Sequence, residues 1–304
     1  MSVIIGGTIA IDNVKTPKAE AKNLLGGSAS FASLAASYYT DQVNLVGIIG
    51  HDYPQKHLEM LESHGVNLTG VERSDSESFT WTGEYMENMN DRETHAVALN
   101  VLEGWEVKVP TSISGAELVV LANMSPENQL QMLSQCDGVN KFVIADTMDL
   151  WITIANEQLH VVLSKIDLLV LNESEARELA RTSNLILAGE ILLEKGPKHV
   201  IIKLGEFGAV LFGPDDKMFR LHAWPLKEVA DPTGAGDSFL GGMAGYLDNL
   251  ETDQFSFDDI CQSMARGSVA ASYTCEAFST LRLQEITKED LSNRLGALRE
   301  LGHW

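Results

Sequence analysis

Apolar positions along this chain fall into two rhythms. Short runs rich in β-branched residues, at 3–5, 43–49, 118–121, 142–145, 168–171 and 200–203, are apolar almost throughout, as strands covered on both faces must be. Between them, segments 28–39, 55–64, 127–135, 173–180 and 184–195 carry apolar residues at helical spacing. Strands that alternate with helices predict an α/β protein, a three-layer αβα sandwich around a mostly parallel central sheet. After a hairpin over 208–212 and 218–221 the pattern becomes mainly helical, with helices expected at 235–247, 257–273 and 288–301.

One region breaks the βα rhythm. Residues 79–85 alternate aromatic and polar side chains, and an apolar-polar run at 93–99 follows the turn-like Asn88-Met-Asn-Asp91. Two such strands inside a parallel fold predict a small antiparallel flap. It is either a lid over a site or an extension of the sheet edge, and the pattern slightly favours the extension. Phe79, Trp81 and Tyr85 either pack that flap or stack on a substrate. With no internal repeat and no Pro/Gly/Ser-rich linker, the 304 residues read as one large domain with a minor lid.

The composition, 44% hydrophobic and 21% charged, supplies ample material for a core. Acidic residues outnumber basic ones 43 to 22, for a formal net charge of -21. Such a surface repels phosphate backbones and anionic lipid, so neither nucleic acid nor a membrane is an expected partner. A phosphorylated small molecule is still admissible, because backbone amides can build a positive site inside an acidic shell. Cys136, Cys261 and Cys275 are far apart and form no CxxC pair, which argues against a disulfide framework or zinc site and fits a reducing compartment. The first twelve residues lack a basic stretch and read as a strand, not a signal peptide. No apolar run reaches the roughly 18 residues of a membrane span. A cytoplasmic protein is expected.

The segment Val229-Ala-Asp-Pro-Thr-Gly-Ala-Gly-Asp-Ser-Phe-Leu-Gly-Gly242 carries the chemistry. Gly234 and Gly236 permit a tight turn whose N–H groups point one way, and a helix follows at once. A helix N-terminus behind a glycine turn gathers unsatisfied donors and the positive end of the dipole at one spot, which makes it an anion site. Asp237 sets a carboxylate beside that spot, an arrangement suited to phosphoryl transfer onto an alcohol. Gly241, Gly242 and Gly245 lie inside the expected helix, where each costs about 1 kcal/mol against Ala, and close backbone approach would account for them. A GxxxxGK[ST] phosphate loop is absent.

Asp231-Pro-Thr-Gly-Ala-Gly-Asp-Ser-Phe resembles the C-terminal signature of the ribokinase (PfkB-type) carbohydrate kinases, with Pro232 in place of the commoner Thr. Further landmarks follow in family order: Gly7-Thr-Ile-Ala-Ile-Asp12, Leu25-Gly-Gly-Ser-Ala-Ser, Asn172-Glu-Ser-Glu175 and Leu204-Gly-Glu-Phe-Gly208. The resemblance covers nearly the whole chain. It implies ATP-dependent phosphorylation of a hydroxyl on a small sugar-like acceptor, with Asp237 as catalytic base and the amides of Gly234, Ala235 and Gly236 as anion hole. It further implies acceptor contacts from Asp12, Gly26 and Gly27, Mg²⁺ organised by Asn172 and Glu175, and an ATP pocket lined by Gly205 and Gly208. Asp231 matches a position that helps bind a monovalent cation such as K⁺ in relatives. Lys203, ending an apolar strand, either reaches a phosphate or snorkels at the sheet edge.

Bland readings stand beside these. Asn172-x-x-Glu175 is also a capping box, Asp12-Asn13 a turn, and Gly26-Gly27 a loop before a helix; His51 and Asp52 read as structural. Phe31 occupies the place of an acceptor-binding asparagine, supplying shape without a hydrogen bond. The stretch of about 12–25 is short for the family, implying a trimmed first lid segment and a lid built mainly from about 79–99. A sugar kinase is the first expectation. The alternatives are a nucleoside kinase, with Phe31, Trp81 and Tyr85 against a base, and a catalytically silent ligand-binding homologue. Monomer and homodimer are both admissible.

Overall fold

Every strand expected from the uniformly apolar runs is present in the computed structural model, which describes residues 2–250, 252 and 254–302. In chain order the strands are Val3–Gly6 (β1), Ala10–Lys15 (β2), Glu20–Gly26 (β3), Val43–Ile49 (β4), Val66–Arg73 (β5), Thr80–Tyr85 (β6) and Arg92–Ala98 (β7). Leu118–Leu121 (β8), Phe142–Asp146 (β9), Leu168–Asn172 (β10), His199–Lys203 (β11), Ala209–Phe212 (β12) and Met218–Leu221 (β13) complete them. Nine strands form one sheet in the order β13-β12-β11-β10-β9-β8-β1-β4-β5. From β11 to β5 every pairing is parallel, and the β12–β13 hairpin joins antiparallel at one edge.

The period of two along a strand divides the core into two layers. Val3, Ile5, Leu118, Val120, Leu168, Val170 and Ile201 face one side, with helices Ser28–Ser37, Ala235–Asp248 and Phe257–Thr274. Ile4, Val119, Leu121, Leu169, Leu171, Val200 and Ile202 face the other, with helices Pro126–Gln135, Asn156–Leu163, Glu173–Ala180 and Leu185–Leu193. The fold is the expected αβα sandwich.

The flap departs from expectation. Strands β6 and β7 do not extend the main sheet, whose edges are β13 and β5. They belong to a separate four-stranded sheet, β3-β2-β6-β7. The segment read as short and trimmed supplies two full strands of it, with Asp12 paired to Trp81 in the parallel β2–β6 register. One face of this sheet carries the exposed Lys15–Glu84–His95 cluster. The register puts Asp12, Trp81, Tyr85 and Arg92 on the opposite face, and Tyr85 is buried there.

The parallel strands β9, β10 and β11 end at Asp146, Asn172 and Lys203. That edge, at the carboxyl ends of parallel strands, is where open α/β sheets place ligands. The smaller sheet and the start of helix Ala235–Asp248 meet it there.

Candidate active site

Gly234 takes the left-handed conformation, φ 76°, immediately before helix Ala235–Asp248. A Cβ at this position would lie 2.3 Å from the Phe31 ring, so both conformation and space demand glycine. Phe31 is 1% exposed. Its ring supports the underside of the Gly234 turn and offers no surface to an acceptor, which corrects its placement among the acceptor contacts. Gly241 is explained by close approach to a neighbouring helix, since a Cβ there would meet the Ala32 carbonyl oxygen at 2.0 Å.

The loop ahead of the helix is pinned at both ends. Asp231, fully buried, accepts hydrogen bonds from Thr233 N–H (2.9 Å) and Ser279 N–H (3.0 Å). The Ser279 hydroxyl donates to the carbonyl of Leu25, tying the turn to the Gly26-Gly27 loop. The Ala235 amide, expected in the anion hole, donates instead to Pro232 O at 3.2 Å. The amides of Gly234, Gly236 and Asp237 find no acceptor among the described residues. They are the unsatisfied donors of the helix start.

Carboxyl groups crowd this end. Asp12 is 4% exposed, and a Cβ on Gly26 would lie 2.1 Å from its carboxyl carbon, so Gly26 is what lets the Asp12 side chain settle against the loop. Burial, with Asp231 and Asp237 nearby, pushes the Asp12 carboxyl up to about 8. Burial and the charge of Asp146 push Asp237 up to about 6, against the opposing pull of Lys203 and Arg92. Asp237 thus lies near neutrality, ionised for most molecules at pH 7 yet basic enough to receive a proton.

Lys203 resolves its own ambiguity. Its ammonium is 3.6 Å from Asp146 Oδ2, and a Cβ on Gly236 would lie 3.0 Å from it. Burial works against its charge, but Asp146, Glu175 and Asp237 together hold its pKa above the usual lysine value. It is a fixed cation beside the anion turn, not an edge lysine in solvent. Asn172 and Glu175 do form the capping box: Asn172 Oδ1 accepts from Glu175 N–H (2.9 Å), and Glu175 Oε2 accepts from Asn172 N–H (2.8 Å). Burial and Asp146 push Glu175 up to about 7.

From Lys203 and Gly236 a cavity of about 400 Å³ runs past Gly205, Gly208 and Glu206 to an apolar end at Trp224, Pro225, Leu226, Val229, Ala271 and Cys275. Its size is that of a cofactor site. A cation and free amides at one end and apolar walls at the other suit a nucleotide.

Two members of the site were missed in the sequence. Asp146 ends an apolar strand, and only its polarity at a run's last position marked it. Arg92 begins β7 and is close enough for its charge to act on Asp237. Tyr85, left open, has its hydroxyl 3.4 Å from Thr233 Oγ1, joining the smaller sheet to the glycine turn. Asp52 is structural as expected, accepting from Ser78 N–H at 2.7 Å.

The model of the pfkB family carbohydrate kinases matches residues 8–286. The chain belongs to this family. Among pfkB-related proteins it is 27% identical over 255 residues to the cytidine kinase of Thermococcus kodakarensis, covering 81% of this chain and 88% of that one. It is 26% identical over 239 residues to a nucleoside kinase of Methanothermobacter thermautotrophicus, covering 77% and 75%. The crystal structure of a nucleoside kinase from Methanocaldococcus jannaschii, an archaeal member of the ribokinase family, superimposes with a TM-score of 0.77 at 18% identity, over 97% of this chain and 98% of that one. Membership makes the protein a kinase that acts on a small molecule. Among the described residues no helix is long and apolar enough to cross a membrane. None of them groups three or more His, Cys, Asp or Glu side chains able to hold a metal.

Proposed function

We propose that this protein transfers the γ-phosphoryl group of ATP to a hydroxyl on the sugar of a nucleoside. The observation that carries the transfer step is Asp237 in the first turn of helix Ala235–Asp248, in the same turn as the free amides of Gly236 and Asp237 and near enough to Lys203 to feel its charge. In this reading the amides and Lys203 hold the migrating phosphoryl group, and Asp237 orients the acceptor hydroxyl and takes its proton.

The donor set fits Mg²⁺ carried with ATP. Mg²⁺ usually keeps several waters and takes one or two protein carboxylates besides the phosphates, and Asp146 and Glu175, two of the three carboxylates whose charge acts on Lys203, are the ones not assigned to the acceptor hydroxyl. Bound there, the ion would neutralise charge between the phosphates. The apolar end of the cavity would receive the adenine.

The acceptor would lie under the smaller sheet, beside Asp12 and the Gly26-Gly27 loop against which it packs. A nucleoside is favoured over a bare sugar by the face it meets. Trp81 and Tyr85 project on the same face as Asp12, offering aromatic surface to a base where a free pentose would need polar groups. The similarity to cytidine and nucleoside kinases supports the same choice.

The test is ADP release with Mg·ATP and cytidine, adenosine, inosine, ribose or fructose, each against a blank without acceptor. Nucleosides should exceed the free sugars in kcat/KM, and Asp237→Asn should lower kcat at least about 100-fold while ATP still binds. Ribose or fructose turning over faster than every nucleoside would restore the sugar reading. Undiminished turnover by Asp237→Asn would remove the assigned base.

A further inference from the structure

The cavity assigned to ATP has one wall that comes from the other sheet. The turn Asn88-Met89-Asn90 joins β6 to β7, yet it lines the same space as Lys203, Gly205 and Gly236. This turn is firmly built. Asn88 Oδ1 accepts from the N–H groups of Asn90 (3.1 Å) and Asp91 (3.0 Å), while Asn88 Nδ2 donates to Asp91 Oδ2 (2.8 Å). Met86 N–H donates to Asp91 O at 2.9 Å, and Met89 N–H to Met86 O at 2.8 Å. Asn88 thereby has its oxygen and one of its two amide hydrogens engaged within the turn.

The Asn90 side chain makes no hydrogen bond with any described residue. Its Oδ1 lies 3.1 Å from where a Cβ on Gly205 would stand. Gly205 itself follows Lys203 by two residues and has φ 57°. The exposed carboxamide of Asn90 therefore sits at the rim of the cavity beside Gly205, its oxygen nearest the glycine and its two N–H donors free to turn toward a ligand. Two residues further on, Arg92 reaches the surroundings of Asp237.

We propose that Asn90 is a nucleotide-binding residue, its amide donating to the phosphate chain of ATP. The proposal rests on the cavity being the ATP site. In that arrangement Asp12 and Trp81 stand on paired strands beside the acceptor, and Asn90 stands in the turn that joins β6 to β7, beside the nucleotide.

Calorimetric titration with Mg·ATP tests this without requiring turnover. Asn90→Asp keeps the shape but replaces donors with a charge facing phosphate, and should weaken ATP binding by at least about tenfold. Asn90→Ala should weaken it by about threefold or more, the loss of one modest hydrogen bond. Ala96→Asp, a charge on the outward face of β7, should leave it within about twofold of wild type, and melting curves should show all variants folded. ATP affinity of Asn90→Asp within twofold of wild type overturns the proposal, as does an equal loss in Ala96→Asp. A wild-type protein that binds ATP but phosphorylates no acceptor removes the proposed activity and leaves this titration decisive. Turnover by the wild type together with an unaffected Asn90→Asp removes only the role of Asn90.

Discussion

Asp146→Asn should move the acid limb of the reaction to lower pH without abolishing the fold. The substitution keeps size and an oxygen, so the bond that Asp146 Oδ1 accepts from Thr147 N–H (2.9 Å) can persist. What disappears is a negative charge that holds the Asp237 pKa up. Lys203, now missing its partner at 3.6 Å, is released toward Asp237 and Glu175, which acts in the same direction. Burial is the larger cause of the Asp237 shift, from 3.8 to about 6, and it remains. Removing one nearby charge is worth on the order of one pH unit, or about 1.4 kcal/mol between the two protonation states. With a pKa of about 6, about one quarter of Asp237 is ionised at pH 5.5, and with a pKa near 5 about three quarters is. At that pH the variant should retain about three times the wild-type fraction of its own plateau rate. The assay is ADP release from pH 5 to 8 with acceptor and Mg·ATP both below their KM, where the profile reports the ligand-free enzyme in which Asp146 holds no Mg²⁺, each profile normalised to its maximum so that any uniform loss of rate does not enter. An acid limb that stays in place, or rises, refutes the claim that Asp146 sets the basicity of Asp237.

Gly26→Ala puts a methyl group within 2.1 to 2.3 Å of the Asp12 carboxyl atoms. Asp12 must rotate away, so the KM for the acceptor should rise by about tenfold to 100-fold while the KM for ATP changes little; initial rates with each substrate varied separately decide it, and an unchanged acceptor KM would count against Asp12 as a ligand. Asp12→Asn should raise the melting temperature, and by more at pH 8 than at pH 5. In the unfolded chain this carboxyl ionises near 3.8 and in the folded protein at about 8, so between those values folding takes up a proton and wild-type stability declines as pH rises. Asn never ionises and is spared that loss, a gain of a few degrees for a chain of this size; a melting-temperature gap that narrows toward pH 8 contradicts the burial argument.

How legible the protein was depends on how many faces of an element are buried. Strands β1, β8 and β10 lie between two helical layers and must be apolar at nearly every position, so a sequence pattern finds them. Strands β2 and β3 have one face toward solvent, where Lys15, Glu20 and Lys22 sit, and they interrupt the apolar record enough to look like loop. Strand β5 fails for a related reason, as an edge strand with Asn67, Thr69 and Glu72 set among its apolar positions. The glycine turn was legible because the whole run from Asp231 to Phe239 resembles a family signature, which Gly-x-Gly-Asp alone would not have carried.

The same principle explains which site residues were missed and which were misplaced. Asp237 and Asp12 lie in local motifs, and their neighbours along the chain announce them. Asp146 and Arg92 are brought to the site only by the pairing of strands distant in sequence, Asp146 through β9 beside β10 and Arg92 through the β6–β7 hairpin that pairs with β2. Phe31 shows the converse. Its position in the helix after Gly26-Gly27 suggested an acceptor contact, but helix geometry turns it under Gly234, where shape is all that is required. Under the proposed function, choice of acceptor would belong to this second class: Asp12 and Trp81 are 69 residues apart in the chain and adjacent in the sheet, so discrimination between a sugar and a nucleoside would depend on the β2–β6 register. A one-residue slip of that register would carry Trp81 to the solvent face, leaving the glycine turn and Asp237 intact and a kinase without its aromatic wall.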